Sequence, residues 1–352
     1  MKETAKRAFV GALVVVAVVA MAIALWQLKL VIALLFLGFI IAAAMRPGVD
    51  ALSRRGFPLS VGIFAHYLAA TAVIGLLLWA IVPRAITQVQ DAIGDLPQEA
   101  RESTGFKQDL LQRVNRWLEE LPSGDQLVDQ VADPALEAGR TAVEVSLGIL
   151  FTLACAAYWI YERERAENLI VSLLPRNRRR VVRDTWDLID LKLGAYVRGQ
   201  LLLIAFVATV LSFIFWAIGL PFWLLIGVFA GFVEIIPVIG PMLAGALAVG
   251  VGLTVSWQVA LGAGIAVLVV RLFEDYIVIP RVLGHAVGLT PLTVLVAVAA
   301  VTILFGGFAV LLAIPLAAVI ATVLDVTVRG KEPSEEDVPT VLFAAKEAET
   351  EG

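Results

Sequence analysis

Five apolar runs of about twenty residues dominate the chain, at 9–26, 28–45, 61–82, 143–161 and 201–219. As a helix rising 1.5 Å per residue, a run of that length crosses the roughly 30 Å hydrocarbon layer of a bilayer. Lipid offers the backbone no hydrogen-bond partners, so such runs must satisfy their own peptide groups and become helices. Composition agrees: 60% of the 352 residues are hydrophobic and 16% charged, with a mean hydropathy of +0.90. A water-soluble domain of this length has too little interior to hide that much apolar surface. A sixth run, 259–279, carries charge in its second half, and two longer stretches, 221–255 and 290–324, exceed one crossing. The expected class is an all-α polytopic membrane protein with about eight hydrophobic segments.

Other classes drop out. A single cysteine, Cys155, excludes an internal disulfide framework and a cysteine metal cluster, and two histidines, His66 and His285, argue against a His-rich metal site. There is no nucleophile–base pair, no HExxH motif and no phosphate-binding loop, so neither an enzyme nor a cofactor is expected, and no nucleic-acid partner. The start, MKETAKRAFVGALVVVAVVAMAIALW, has the basic opening of a secretion signal. Its apolar run is longer than a signal core and no convincing cleavage site follows, so it reads as a retained first span.

Lysine and arginine set the orientation. Lys2, Lys6 and Arg7 precede the first span; Arg46, Arg54 and Arg55 lie between the second and third; Arg176, Arg178, Arg179, Arg180 and Arg183 follow the fourth. All fall on one side if both termini are cytoplasmic. The other side receives an acid-rich insert, 83–142, in which Phe106, Leu110, Val114, Trp117 and Leu121 recur at helical spacing. Segment 143–200 is expected to combine the fourth span with a basic amphipathic helix lying in the membrane interface, with Val182, Trp186, Ile189, Leu193 and Tyr196 on one face. The transport core is expected at 201–329, after the three spans of 1–82. The acidic, Pro-containing segment 330–352 reads as a disordered cytoplasmic tail.

Stretch 221–255 holds EIIPVIGP, Glu234 to Pro241, at its centre. One helix of thirty-five residues would run about 50 Å, too long for one crossing. Two arms of about fourteen residues reach only about 20 Å each. A re-entrant hairpin with EIIPVIGP at its tip fits that arithmetic: Pro237 and Pro241 stop the helices and Gly240 permits the turn. Stretch 290–324 repeats the pattern around FGGF (Phe305–Phe308, with Gly306 and Gly307), Pro315 adds a kink signal in its return arm, and its longer arms leave two full crossings open. Helix plus hairpin then occurs twice with opposite sense, an inverted repeat of the kind secondary transporters use.

A carboxylate in mid-membrane costs about 2.5–3.5 kcal/mol on insertion scales, so Glu234 needs either freed backbone groups or a solute or ion as partner. Arg271 with Glu274 and Asp275 stands at i,i+3 and i,i+4, which allows an internal ion pair; alternatively one carboxylate works with Glu234 to carry a proton or cation. His66 reads as a packing residue and His285 as a surface residue. Glycines near Gly227, Gly231 and Gly245 point to close helix packing.

The ordered set YVRGQ (Tyr196–Gln200), GLPF (Gly219–Phe222), IPVIGP (Ile236–Pro241), FEDYIVIPRVLG (Phe273–Gly284), GLTPL (Gly288–Leu292), FGG (Phe305–Gly307) and AIPLAA (Ala313–Ala318) resembles the autoinducer-2 exporter-like (AI-2E) family of bacterial membrane permeases. It covers about half the chain. The resemblance implies a permease of the bacterial inner membrane, homo-oligomeric with a pentamer expected, linked to export of the sugar-like quorum-sensing signal autoinducer-2. Some relatives are assigned sodium(lithium)/proton antiport. GLTPL departs from the family pattern, which often has His where this chain has Thr290, so no imidazole role carries over. The pathway residues expected are Gln200, Glu234, Pro237, Gly240, Pro241, Arg271, Glu274, Asp275, Gly306 and Gly307. Their ligand would be a small polar solute, or a monovalent cation and proton. A non-transporting oligomeric scaffold presenting 83–142 is the reading from another class.

Overall fold

The computed structural model describes residues 2–102, 124–237, 239–282, 289–336 and 338. Long helices come first: α1 (Lys2–Gln27), α2 (Lys29–Arg54), α3 (Leu59–Glu102), α4 (Gly124–Ser172) and α5 (Arg179–Ala217). Shorter ones follow: α6 (Trp223–Val233), α7 (Ile239–Val255), α8 (Trp257–Phe273), α9 (Ile279–Val282), α10 (Pro291–Phe305) and α11 (Val310–Thr327). Among the described residues six helical segments are long and apolar enough to cross a membrane: Phe9–Gln27, Lys29–Arg54, Leu59–Gln88, Arg140–Ser172, Arg176–Ala217 and Gly307–Thr327. Three shorter apolar helices, Trp223–Val233, Ile239–Val255 and Leu292–Phe305, account for the remaining parts of the two overlong stretches, while the sixth expected run, 259–279, is α8 and the turn after it.

Both overlong stretches break where their breakers stand. The first becomes α6 and α7 with the interruption at EIIPV, and the second becomes α10 and α11 with Gly306 at φ +95 between them. Thr290 caps α10, its Oγ1 accepting the Thr293 N–H at 3.3 Å, and Pro291 occupies the first turn, where its missing N–H costs no bond. Pro315 lies buried inside α11.

Packing divides into two cores. In the first, Val207, Leu211 and Phe215 of α5 meet Ile226 and Ala230 of α6, Ala244 and Ala248 of α7, and Ala263, Ala266 and Val270 of α8. In the second, Ala33, Ile40 and Ala43 of α2 meet Leu193 of α5, Val301 of α10, and Ala309, Leu312 and Ala313 near and in α11. Among the described residues only α5 contributes to both; at 39 residues it is about 58 Å long, so its two halves serve separate cores. α1 joins neither: the side chains described along it are exposed, and only Leu28 separates it from α2, with backbone bonds Leu28 to Ala24 and Ile32 to Leu28 on either side.

Small residues let these helices approach, since lipid gives no hydrophobic reason for apolar faces to pair. Gly227 and Gly231 of α6 face α5 so closely that a Cβ would lie 2.6 Å from the Ser212 nitrogen and 2.6 Å from the Ile204 oxygen, respectively. Gly245 has only ordinary contact, its nearest neighbour 3.5 Å from a Cβ position. His66 packs against Gly48 and its Nδ1 lies 2.8 Å from the Gly62 carbonyl, a packing residue as expected.

The segment expected as an interfacial helix is part of α5, which runs unbroken from Arg179 to Ala217. Its apolar face packs on protein: Trp186 stacks on Trp159 of α4 with ring centroids 5.8 Å apart, Leu193 lies in the second core, and Tyr196 is buried. A buried charge network ties α2, α4 and α5 there. Arg163 donates to Asp187, Asp190 and Glu167, Arg46 donates to Asp190 at 3.0 Å, and Arg183 donates to Glu167 at 2.6 Å. Of the insert 83–142, α3 and α4 supply the two ends, and the amphipathic run 106–121 lies outside the described residues, as does His285. Of the segment expected as a disordered tail, Lys331–Glu336 includes a 3-10 turn at Pro333–Glu335 with Pro333 buried.

Gly227→Ala tests the close approach. An alanine normally stabilises a helix interior by about 1 kcal/mol over glycine, but overpacking costs about 1–3 kcal/mol. The thermal midpoint in detergent is expected to fall by several degrees, whereas Gly250→Ala, with open space around its Cβ, leaves it unchanged or raises it.

Candidate polar site at the helix breaks

α6 ends because Pro237 has no N–H to continue its ladder. The last turn tightens instead: Glu234, Ile235 and Ile236 donate to Gly231, Phe232 and Val233, three residues back, at 3.3, 3.3 and 2.9 Å. α7 then starts at Ile239, with the Gly240 N–H on the Ile236 carbonyl at 2.9 Å. A Cβ on Gly240 would overlap the Val233 carbonyl oxygen, so only glycine lets the two helix ends touch. Pro241, expected to stop a helix, instead opens one: it lies in the first turn of α7, where no intrahelical donor is required.

The break puts Glu234 inside the first core, 8% exposed. Arg271, near the end of α8, donates from Nη1 to Glu234 Oε1 at 2.6 Å, and Gln200 of α5 donates from Nε2 to the Glu234 backbone carbonyl at 3.4 Å. The same guanidinium lies 3.0 Å from Asp275 Oδ1 and 3.9 Å from Glu274 Oε2. The internal pairing expected of Arg271 is present, and the same guanidinium also reaches Glu234, a contact that spacing along one helix does not predict. Glu274 is 2% exposed, and its Oε1 has no hydrogen-bond partner among the described residues.

Glu274 also begins a second irregularity. Glu274–Val278 is π-helical, with the Ile279 N–H bonded to the Glu274 carbonyl five residues back. Pro280 accounts for this: it cannot donate to Tyr276, and its ring presses on that carbonyl, so the preceding turn widens. Such π-bulges are frequent at functional sites. Two backbone irregularities from distant parts of the sequence therefore face one cavity of about 10 Å³, walled by Glu234, Pro241, Arg271 and Glu274 with Val207 and Leu211. That volume is room for about one water molecule. One guanidinium among three carboxylates leaves an acidic excess in an apolar surrounding, an arrangement suited to a cationic or hydrogen-bonding visitor. Among the described residues no group of three His, Cys, Asp or Glu side chains is placed to hold a metal ion.

Gln200, Glu234, Pro237, Gly240, Pro241, Arg271, Glu274 and Asp275 thus gather around one break. Gly306 and Gly307 do not join them: they are exposed, and Phe305 and Ala309 beside them belong to the second core. Sequence reasoning missed the π-helical turn, although Pro280 six residues after Glu274 was its visible signal, and it missed the Arg163–Asp190 network, of whose members it used only Arg46 and Arg183, as charges that set the orientation.

Comparison with known proteins now decides the kinship. The sequence pattern of AI-2E family transporters matches residues 15–329. The chain belongs to the AI-2E family of transporters. It is similar to YrrI of Bacillus subtilis (strain 168), a transport protein by name, at 25% identity over 82% of this chain and 84% of that one. A transport protein of Mycobacterium tuberculosis named MT0215 is 26% identical over 94% of this chain and 92% of its own. PerM of Escherichia coli (strain K12), named as a permease, is 25% identical over 74% and 78%. The AI-2E chain described here is a multi-pass membrane protein with bacterial relatives, and its family is one of transporters rather than enzymes.

The buried pair gives a stability prediction. Arg271→Gln leaves Glu234 and Glu274 without their cation and is expected to cost about 3–5 kcal/mol. The double variant Arg271→Gln/Glu234→Gln recovers part of that loss, which denaturation in detergent reads as a coupling between the two sites.

Proposed function

We propose that this AI-2E protein is a secondary transporter that exports a small polar solute such as autoinducer-2 by alternating access. The observation that carries the reading is the gathering of Glu234, Arg271, Glu274 and Asp275 at two helix irregularities inside an otherwise apolar core. Burying that many charges destabilises a membrane helix bundle, and such residues mark solute and ion pathways. α6, at 11 residues, reaches only about 16 Å, about half of the hydrocarbon layer, which supports α6 and α7 as a hairpin that re-enters rather than crosses. α10 and α11 would form the opposed element of an inverted repeat with FGG at its break, and since Gly307–Thr327 is long enough to cross by itself, this element fits two crossings as well as a re-entrant hairpin. In this arrangement the freed peptide groups at EIIPV hold solute hydroxyls and Gln200 steadies the Glu234 backbone. The basic loops favour a cytoplasmic location for both termini at the bacterial inner membrane. Assembly as a homo-oligomer, with a pentamer the first size to test, is taken from the family resemblance, and α1, exposed along its described length, is available to lipid or to a neighbouring subunit.

A second reading, sodium(lithium)/proton antiport, is favoured by Glu274, whose unpartnered Oε1 faces the cavity. It is separable. In proteoliposomes loaded with autoinducer-2, the native protein is expected to accelerate efflux, and Glu234→Gln to lower the rate at least tenfold while the protein stays monodisperse. A sodium pulse that moves protons without any organic solute, and fails to do so in Glu274→Gln, would establish antiport instead. A protein that moves neither, and whose phenotype follows deletion of 83–142 alone, would be a scaffold.

A further inference from the structure

At the end of α11 farthest from FGG, a lysine is buried in a place the transport reading does not use. Lys192 of α5 has only 10% of its side chain exposed. Its Nζ donates to Thr322 Oγ1 of α11 at 3.3 Å, and Thr322 is itself 2% exposed. A hydroxyl is neutral, and an ammonium taken out of water costs several kcal/mol unless an anion accompanies it. The anion comes from beyond α11: the Glu336 carboxylate is ion-paired with Lys192.

The chain reaches Lys192 by a built turn. Gly330 adopts φ +66, a left-handed conformation that favours glycine, and reverses the chain after α11. Asp325 in the last turn of α11 accepts Arg329 Nη1 at 2.7 Å and Lys331 Nζ at 2.6 Å, and its backbone carbonyl accepts the Lys331 N–H at 3.1 Å. Pro333 is then buried and Glu336 arrives over Lys192. Lys331 Nζ also lies 3.8 Å from Glu336 Oε1, so the segment 325–336 brings the Glu336 carboxylate to the buried Lys192 with the exposed Lys331 beside it.

We propose that Lys192 and Thr322 form a carboxylate-binding site between α5 and α11, and that Glu336 on this chain's own C-terminal segment is its tethered ligand. The consequence is a latch. α5 is shared by both cores, whereas α11 belongs only to the second, so the bound segment fastens the second core to the shared helix. Loss of the Glu336 charge releases the segment and, with it, that end of α11. The proposal does not depend on what the protein transports.

The test uses the full chain with Cys155→Ser in nanodiscs, carrying spin labels at Leu191→Cys and Ser334→Cys, both at exposed positions. Pulsed dipolar spectroscopy is expected to give one narrow distance distribution. Glu336→Lys should broaden it and move it to longer distance, and the exchange Lys192→Glu/Glu336→Lys should restore the narrow peak. A narrow peak that survives Glu336→Lys would overturn the proposal, as would an exchanged pair that stays as broad as Glu336→Lys alone. If the exchanged protein does not remain monodisperse, Glu336→Asp against Glu336→Gln decides: aspartate keeps the narrow peak and glutamine loses it, and equal distributions for the two would overturn the latch.

Discussion

The arrangement around α6, α7 and α8 depends on one guanidinium. Among the described residues Arg271 is the only cation paired with Glu234, and it also neutralises part of Glu274 and Asp275. Without it, buried carboxylates would face one another in a core made of aliphatic side chains and Phe215. With it, the end of α6, the start of α7 and the π-helical turn after α8 are held at one point. The electrostatic term is therefore also an architectural one: it fixes where two backbone irregularities meet, and the small cavity lies at that meeting.

Separation into two cores follows from helix length and residue size. α5 is long enough to pack against different partners along its two halves, and glycine or alanine at the crossings brings neighbouring backbones close enough to compensate for the absent hydrophobic drive. A molecule built this way has a shared helix and two groups of short helices on it. The breaks at EIIPV and FGG lie in different groups. Relative motion of the groups along α5 is a physically natural route to exposing one break and then the other, which is what alternating access requires.

Much of this was legible in the sequence, for identifiable reasons. The membrane class came from run length and composition, and the two broken stretches came from arithmetic on helix rise and from Pro237, Gly240, Gly306 and Gly307. Glu234 and Arg271 stood out because charge is rare in apolar surroundings. Their mutual contact was not derivable, since spacing along a helix shows only that Arg271 can meet Glu274 and Asp275. Pro241 was misread because proline stops a helix in its interior but opens one in its first turn, and the difference depends on where the helix begins. Likewise the face of Trp186, Leu193 and Tyr196 looked like a membrane-surface face because periodicity shows that a face is apolar without showing what covers it. The Arg163–Asp190 network was hidden because its paired members lie 16 to 144 residues apart or one turn apart, and nothing in the pattern says which charges meet.

The proposed transport cycle requires that the breaks at EIIPV and FGG, which lie in different helix groups, be reached by water from opposite sides of the membrane. Two-sided thiol labelling tests it most directly, in a Cys155→Ser background with Ile236→Cys for the first break and Gly307→Cys for the second. Gly240 is unsuitable because a side chain there meets the Val233 carbonyl. A membrane-impermeant maleimide is expected to reach Ile236→Cys from the outer face and Gly307→Cys from the inner face. Protection of both positions from both faces, or labelling of both from the same face, would contradict the account.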